Sequence, residues 1–336
     1  WVEKPIPQPT GFDGVIRPLL VSPCTSDVHN VEIDCLKPGR ILGHEGLGEI
    51  VAVGEGVKEF QVGEIVVVPP VTPDWRTVPS QLGAHQHCAG LITGQKLSNS
   101  EDGLLAEYAL IRDLDANAAR IPPGVSPEGA VMAADMLNTG LYGAELAEVR
   151  PGDTVVVMGV GPVGLMAIAG ARLRGAGRII AIGSRKAGVE LARFYGATDL
   201  VNYKEGNVER QIYELTHKQG ADCCICAGGG TEALGQVVAM VRWGGTVGNV
   251  NYFTTYGDLP LNNVRYGFGM GNKTIRGGEC PGGRARMEKL LALLQYGRVD
   301  PVPLITHRFQ GLDQVETAFH LMAEKPPALV KTIVAL

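Results

Sequence analysis

The sequence predicts an α/β protein in which a doubly wound parallel sheet accompanies an irregular, β-rich part. Residues 154–158 form a short apolar run that leads into a glycine-rich turn and a helical pattern. From residue 140 onward, short apolar runs alternate with helical patterns, which is typical of parallel strands joined by crossover helices. The first 24 residues alternate poorly and are interrupted by prolines, which is typical of irregular β structure.

The glycine-rich turn has the spacing G-x-G-x-x-G between a strand and a helix. The first glycine of this pattern allows the tight turn, the second lets the backbone approach a pyrophosphate, and the helix N-terminus faces the anion. The spacing alone is weak in a chain with 46 glycines, and a purely structural turn is the alternative. In this context it predicts a dinucleotide site with the cofactor-binding residues Gly159, Gly161, Pro162, Val163 and Gly164.

The second strand, residues 178–182, ends in Gly183, Ser184 and Arg185. An acid commonly binds the ribose 2′-hydroxyl of NAD in this region, and none is present. A 2′-phosphate can instead be held by Ser184, the backbone and the guanidinium of Arg185. We therefore predict NADP over NAD, with a solvated loop charge at Arg185 as the alternative.

The rest of the chain continues the same alternation and then returns to the β-rich part. The predicted strands are 200–202, 223–227 and 246–250, and the predicted helices are 189–195, 208–216 and 234–241. After residue 280, apolar spacing predicts helices around 287–294 and 315–322, followed by a closing strand.

Length and composition describe an ordinary globular chain of two domains: 336 residues, 45% hydrophobic and 19% charged. A net charge of −5 without a basic run excludes an evident nucleic-acid site. No apolar run approaches a membrane span, and no secretory signal is visible. Together with the odd number of seven cysteines, this predicts reduced thiols and a cytoplasmic location. The closely spaced cysteines of residues 223–226 (CCIC) suggest a metal site, but their apolar surroundings favour buried, inert thiols.

Two short clusters near the start carry ligand chemistry. Cys24 lies close to an acid and a histidine, and His44 is followed directly by Glu45. Asp135 lies among apolar residues just before a predicted helix, so it must be paired, capping or bound to metal. Sulfur, imidazole and carboxylate groups suit zinc.

These motifs make the chain recognisable. The run GHEGLGEIVAVGEGV resembles the signature of zinc-containing medium-chain alcohol dehydrogenases. The runs RPLLVSPCTSD, GVGPVGLMAIAGARLRGAGRII, GNVNY and CPGGR resemble more closely the NADP-dependent secondary alcohol dehydrogenases of microbes. The resemblance implies a GroES-like catalytic domain at 1–138 and 280–336, and a Rossmann domain at 139–279.

The resemblance also implies roles for single residues. Cys24, His44 and Asp135 correspond to ligands of one catalytic zinc, and Glu45 to an acid that can enter its coordination shell. Asp27 resembles the carboxylate that orients a histidine ligand. A structural ion pair is the alternative role for Glu45.

Further site residues follow from the same likeness. Ser26 and His29 resemble a proton relay from the alcohol oxygen, although His29 could be a surface histidine. Tyr203 resembles part of the 2′-phosphate site, although it could only pack. The run GNVNY implies that Asn251 and Tyr252 bind the cofactor.

Departures from the family concern the substrate pocket. The 30–40 connection is shorter than usual, Gln95 replaces a tryptophan, and Glu279 replaces an apolar residue. Relatives carry a short segment ahead of Trp1. The spacing of residues 85–88 (HQHC) is too tight for a second zinc site.

Zinc-dependent hydride transfer between secondary alcohols or ketones and NADP(H) is the predicted function, with a homotetramer implied by resemblance. The partners expected are a small-molecule alcohol or ketone, with no nucleic acid or membrane. A zinc-free quinone or enone reductase and a non-catalytic NADPH-binding protein are the alternatives. The physiological substrate, its stereochemistry and the preferred direction stay open.

Overall fold

The computed structural model describes residues 1–33, 36–253, 257–261, 263 and 267–336. The chain folds into two compact units, one of 1–135 with 280–336 and the other of 136–279. Two residues of the predicted 30–40 connection, Asp34 and Cys35, lie outside the described residues.

The elements of 1–135 are β1 (Gly14–Val21), α1 (Thr25–Glu32), β2 (Gly46–Val53), β3 (Ile65–Val68), α2 (Val78–Gln81), β4 (Ala109–Ile111), α3 (Leu114–Asn117), β5 (Ala119–Arg120) and α4 (Pro127–Met132). Those of 136–279 are α5 (Asn138–Leu146), β6 (Thr154–Met158), α6 (Pro162–Leu173), β7 (Arg178–Ile182), α7 (Lys186–Tyr195), β8 (Asp199–Val201), α8 (Val208–Leu215), β9 (Ala221–Cys226), α9 (Ala233–Met240), β10 (Val241–Asn249) and β11 (Thr274–Gly277). The first unit continues with α10 (Arg284–Gln295), β12 (Ile305–Gln310), α11 (Val315–Glu324) and β13 (Lys331–Ala335).

The first unit is built on a mainly antiparallel sheet in the order β12-β13-β1-β2-β3-β5, with β4 also paired to β1. The β1–β2 register shifts between Pro18 and Leu20, near a proline that has no N–H to donate. Val21 at the end of β1 pairs with Gly46 at the start of β2 and with Val334 of β13. The chain segments that follow β1 and precede β2 are therefore brought together at one end of the sheet.

Apolar side chains fill the interior of this sheet. Ile16, Ile50, Val66 and Val68 are all fully buried in one cluster. Burial of apolar surface stabilises a fold by roughly 25 cal/mol per Å². This packed interior therefore supports the loops that carry the candidate ligand groups.

The second unit is a parallel sheet in the order β11-β10-β9-β6-β7-β8. In chain order β6 comes first, so the strand order reverses between β6 and β9, as in a Rossmann fold. The predicted α/β class with a doubly wound sheet is confirmed. β6 and β7 have the predicted bounds. In sheets of this kind, ligands bind beyond the carboxyl ends of the strands, at the point where the strand order reverses.

Of the predicted strands of this sheet, the one at 246–250 differs most at its start. β10 begins at Val241 rather than at residue 246, and its pairing with β9 shifts between Val241 and Thr246. Gly244 has φ +71° inside this irregular stretch, a conformation that favours glycine and interrupts the apolar pattern. Among the described residues, no helix has the combination of length and apolar character that crossing a membrane requires.

Candidate metal centre and cofactor turn

Four predicted ligand residues converge in the first unit. Cys24, His44, Glu45 and Asp135 are all buried, and one ligand atom from each lies within 4.8 Å of the others. A set of one sulfur, one imidazole nitrogen and carboxylate oxygens matches the preference of zinc. The residues present therefore fit the metal that the sequence predicts.

The separations between ligand atoms are close to those of a filled site. His44 Nε2 lies 3.8 Å from Asp135 Oδ2, and Cys24 Sγ lies 3.9 Å from the same oxygen. Ligands of a tetrahedral zinc lie roughly 3.5 Å apart, given bond lengths of about 2.0–2.3 Å. A small contraction would bring the three groups into coordination distance of one ion.

Each ligand lies at a position that the local fold determines. Cys24 is the N-cap residue of α1, three residues after the end of β1, and His44 and Glu45 directly precede β2. Asp135 was expected just before a helix, but it lies inside a π-helical turn, Ala133–Leu137, between α4 and α5. Such a turn inserts one extra residue into a helix and is frequent at functional sites.

Asp27 orients the histidine of this group. His44 Nδ1 lies 3.2 Å from Asp27 Oδ1, and the backbone N–H groups of Gly43 and Cys24 donate to the same carboxylate at 3.4 Å. Burial opposes ionisation of Asp27, but the charge and hydrogen bond of His44 outweigh it and lower the pKa of this carboxyl. Because Nδ1 is bound to Asp27, Nε2 is the ring nitrogen left to bind a metal beside the other candidate ligands.

Sequence reasoning missed one residue of this site, Lys331. It is fully buried, and its Nζ donates to Glu45 Oε1 at 2.7 Å. Burial by itself lowers the pKa of Lys331, but the negative charges of Cys24 and Glu45 outweigh it and raise that pKa. A lysine inside the apolar closing strand is the signal that could have revealed it, because a buried ammonium needs a partner.

The lysine also influences the thiol. Burial raises the pKa of Cys24, but the charge of Lys331 and a hydrogen bond with His44 lower it to about 7 overall. Zinc binds the thiolate form of cysteine, so this environment favours the ligand form of Cys24 near neutral pH.

The two predicted relay residues lie on α1, three residues apart and thus on one face of the helix. Ser26 Oγ lies 3.2 Å from His44 Nε2, which places the hydroxyl at the ligand group. His29 is one-quarter exposed, and its Nδ1 lies 3.2 Å from Glu32 Oε2. One end of the predicted relay is therefore at the buried group and the other reaches solvent.

The glycine-rich turn of the second unit needs its glycines. Gly159 has φ +110°, and Gly161 is the N-cap residue of α6 with Pro162 in the first turn and Val163 after it. A Cβ on Gly164 would lie 2.1 Å from the carbonyl oxygen of Gly159. The backbone amides at the start of α6 are thus left open toward an anion.

The end of β7 provides the groups predicted for a 2′-phosphate. A guanidinium nitrogen of Arg185 lies 3.6 Å from where a Cβ on Gly161 would be, so this cation is beside the turn. The hydroxyl of Ser184 is buried and has no hydrogen-bond partner among the described residues. A Cβ on Gly183 would lie 2.2 Å from a methyl carbon of Val160. The glycine therefore allows its loop to lie close to the glycine-rich turn.

The other predicted cofactor residues lie in loops of the same unit. Tyr203 is 54% exposed and begins a 3₁₀ turn, Tyr203–Glu205. Asn251 Nδ2 donates to the carbonyl of Gly229 at 3.2 Å, and Tyr252 is 44% exposed. These placements leave both tyrosine rings accessible.

Two other clusters are explained without a metal. His85 Nε2 and His87 Nδ1 each accept a backbone N–H at 3.1 Å, and Cys88 Sγ donates to the carbonyl of Thr93. The cysteines of β9 are buried as predicted. Burial raises the pKa of Cys226 to about 12, so it is a thiol at neutral pH.

The two positions expected to shape the substrate pocket, Gln95 and Glu279, are half-buried. Gln95 lies in a turn where its carbonyl oxygen accepts from Asn99 Nδ2 at 3.0 Å, and Glu279 follows β11.

Comparison with known proteins identifies two family matches. The Alcohol dehydrogenase GroES-like domain matches residues 13–123, and the Zinc-binding dehydrogenase family matches residues 162–296. The chain is 52% identical over its whole length to the NADP-dependent isopropanol dehydrogenase of Thermoanaerobacter brockii, covering 96% of that protein. It is 49% identical to the enzyme of the same name from Clostridium beijerinckii, again over the whole chain and 96% of the relative.

Solved structures agree with this result. Alcohol dehydrogenase TADH from Thermus sp. ATN1 superposes with a TM-score of 0.84 at 30% identity, covering 100% of this chain and 95% of that one. The resemblance predicted from the motifs is confirmed: the chain belongs to the zinc-binding alcohol dehydrogenase family, with a GroES-like domain and a Rossmann domain.

Proposed function

We propose that the protein is a zinc-dependent oxidoreductase that interconverts secondary alcohols and ketones with NADP(H). The observation that carries the proposal is the buried convergence of Cys24, His44 and Asp135, with Glu45 beside them. The full-length likeness to NADP-dependent isopropanol dehydrogenases supports the choice of substrate class and cofactor.

In this proposal Cys24, His44 and Asp135 hold the zinc, which supplies Lewis acidity toward an alcohol or carbonyl oxygen when bound. Asp27 keeps the His44 ring in the orientation that presents Nε2. Ser26 is close enough to this group to take the proton of the alcohol, and His29 passes it toward solvent.

The glycine turn at Gly159, Gly161 and Gly164 binds the pyrophosphate through the N-terminus of α6. Ser184 and Arg185 hold the 2′-phosphate that distinguishes NADP from NAD, because an unpartnered hydroxyl and a guanidinium are strong phosphate partners. Tyr203 covers the same phosphate, and Asn251 and Tyr252 line the cofactor further along.

We further propose a catalytic domain at 1–138 and 280–336 and a cofactor domain at 139–279. A cytoplasmic location and a homotetramer complete the proposal, supported by the cysteine content and by the likeness to the family. Light scattering of the purified protein tests the tetramer, and a monomer would contradict it.

The function is tested by following NADPH oxidation with 2-butanone while measuring zinc in the same sample. We expect about one zinc per chain and turnover that stops when a chelator removes the metal. Substitution of NADH should give much weaker activity. Turnover that survives complete removal of zinc would refute the proposed mechanism.

A further inference from the structure

Lys331 is the first residue of β13 and has no exposed surface. Its ammonium donates to Glu45 Oε1 at 2.7 Å and to the carbonyl oxygen of Pro23 at 3.2 Å. Moving a charged amine out of water is energetically unfavourable, so its partners must compensate. Both partners are adjacent to candidate metal ligands, since Pro23 precedes Cys24 and Glu45 follows His44.

Glu45 is shared between two cationic positions. One of its oxygens is paired with Lys331, while the other, Oε2, is buried and has no hydrogen-bond partner in the part of the chain that the structure describes. The same residue contributes a ligand atom to the group that converges within 4.8 Å. A carboxylate in this position can be neutralised by the ammonium or by the metal.

The backbone fixes the position of the lysine. Ser22 Oγ donates to the carbonyl of Thr332 at 2.7 Å, and the N–H of Ser22 donates to the carbonyl of Glu45 at 3.0 Å. These two bonds anchor the start of β13 and the residue before β2 to the segment that follows β1, so the backbone of Lys331 is held beside Glu45.

We propose that Lys331 is a positioning residue that holds Glu45 as a reserve ligand, competing with the metal for this carboxylate. The inference rests on the proposed zinc site of Cys24, His44 and Asp135. A catalytic zinc has three protein ligands and one position for an outside ligand. While Lys331 holds Glu45, that position is open. Without the ammonium, the buried carboxylate is neutralised by binding the metal, and the position is filled.

The experiment uses Co²⁺ in place of zinc, because its visible absorption reports the ligands around it. Imidazole is titrated into the cobalt-loaded parent, Lys331→Met, Glu45→Gln and the double variant. We expect Lys331→Met to bind imidazole about tenfold or more weakly, within the 10–100-fold range typical of groups that support metal ligands. The double variant should bind imidazole as Glu45→Gln does, because the competing carboxylate is absent from both.

Lys273→Met is the matched control. Lys273 is also buried and donates to a carbonyl, that of Val238, but it lies in the other unit. Its replacement should leave the affinity for imidazole unchanged.

Two results would overturn the inference: an unchanged affinity for imidazole in Lys331→Met, or an equal loss of that affinity when the lysine is replaced in the Glu45→Gln background.

If Lys331→Met alone does not fold, equal affinities for imidazole of Glu45→Gln and the double variant support the inference. A double variant that also fails to fold assigns Lys331 a structural role and contradicts it. A parent protein that binds no cobalt would instead refute the proposed metal site itself.

Discussion

Replacing Asp27 by asparagine tests how the residues behind the ligands support metal binding. Asp27 is fully buried, 3.2 Å from His44 Nδ1, and accepts two backbone N–H groups. Asparagine keeps the shape and one acceptor oxygen but removes the charge. The hydrogen bond and charge of His44 lower the pKa of Asp27, so the carboxylate is its stable form, and removing its charge should reduce the basicity of the His44 ring and loosen its orientation.

Loss of such a partner lowers metal affinity about 10–100-fold, or about 1.4–2.8 kcal/mol. The assay is competition for zinc between the purified protein and a colorimetric chelator, with circular dichroism as the check of folding. Asp102→Asn is the matched control, because Asp102 pairs with Lys4 and Arg40 at the surface. A folded Asp27→Asn protein that retains parental zinc affinity would refute the reasoning.

Three further predictions concern the second unit. Arg185→Ala should weaken NADPH binding about 10–100-fold and leave NADH binding nearly unchanged, measured by quenching of protein fluorescence. Gly164→Ala places a Cβ 2.1 Å from the oxygen of Gly159, so we expect a lower melting temperature and weaker cofactor binding by calorimetry. Asp199→Asn should destabilise the protein by about 1–2 kcal/mol at pH 7, because Arg178 donates two hydrogen bonds to this largely buried carboxylate.

The pH dependence of the last variant has a definite sign. The hydrogen bonds from Arg178 lower the pKa of Asp199 in the folded state, so the ion pair stabilises the protein above the ordinary aspartate pKa of about 3.9. This stabilisation is lost as the pH falls through the lowered value. The difference between parent and variant in urea unfolding should therefore shrink at acidic pH, and a constant difference from pH 7 to pH 3 would contradict the assignment.

Controls for the other two variants use residues of α6. Arg172→Ala removes a cation near the C-terminus of α6 and should leave NADPH affinity unchanged. Ala169→Gly, in the middle of α6, weakens the helix without touching the glycine-rich turn. It should lower the melting temperature without a specific loss of cofactor binding, which separates helix stability from the effect of Gly164→Ala.

The parallel sheet was predictable because its signals are local. The bounds of β6 and β7 follow from short apolar runs, and Gly159 is required by a positive φ that few other residues adopt. The candidate ligands were predictable by residue type and by resemblance, since Cys24, His44 and Asp135 carry the chemistry that zinc prefers. The identity of these side chains is read directly from the sequence, without knowledge of what they contact in the fold.

Tertiary structure decided what depends on contacts between distant segments. Lys331 is 286 residues from Glu45 in the chain, and the pairing of both β13 and β2 with β1 brings the two together. The π-helical turn at Asp135 is likewise invisible to a helical pattern, because packing rather than local preference selects it. Residue types and their spacing were enough to identify which groups could bind a metal and a nucleotide. Sheet register, which depends on long-range backbone pairing, decided which buried charges face one another.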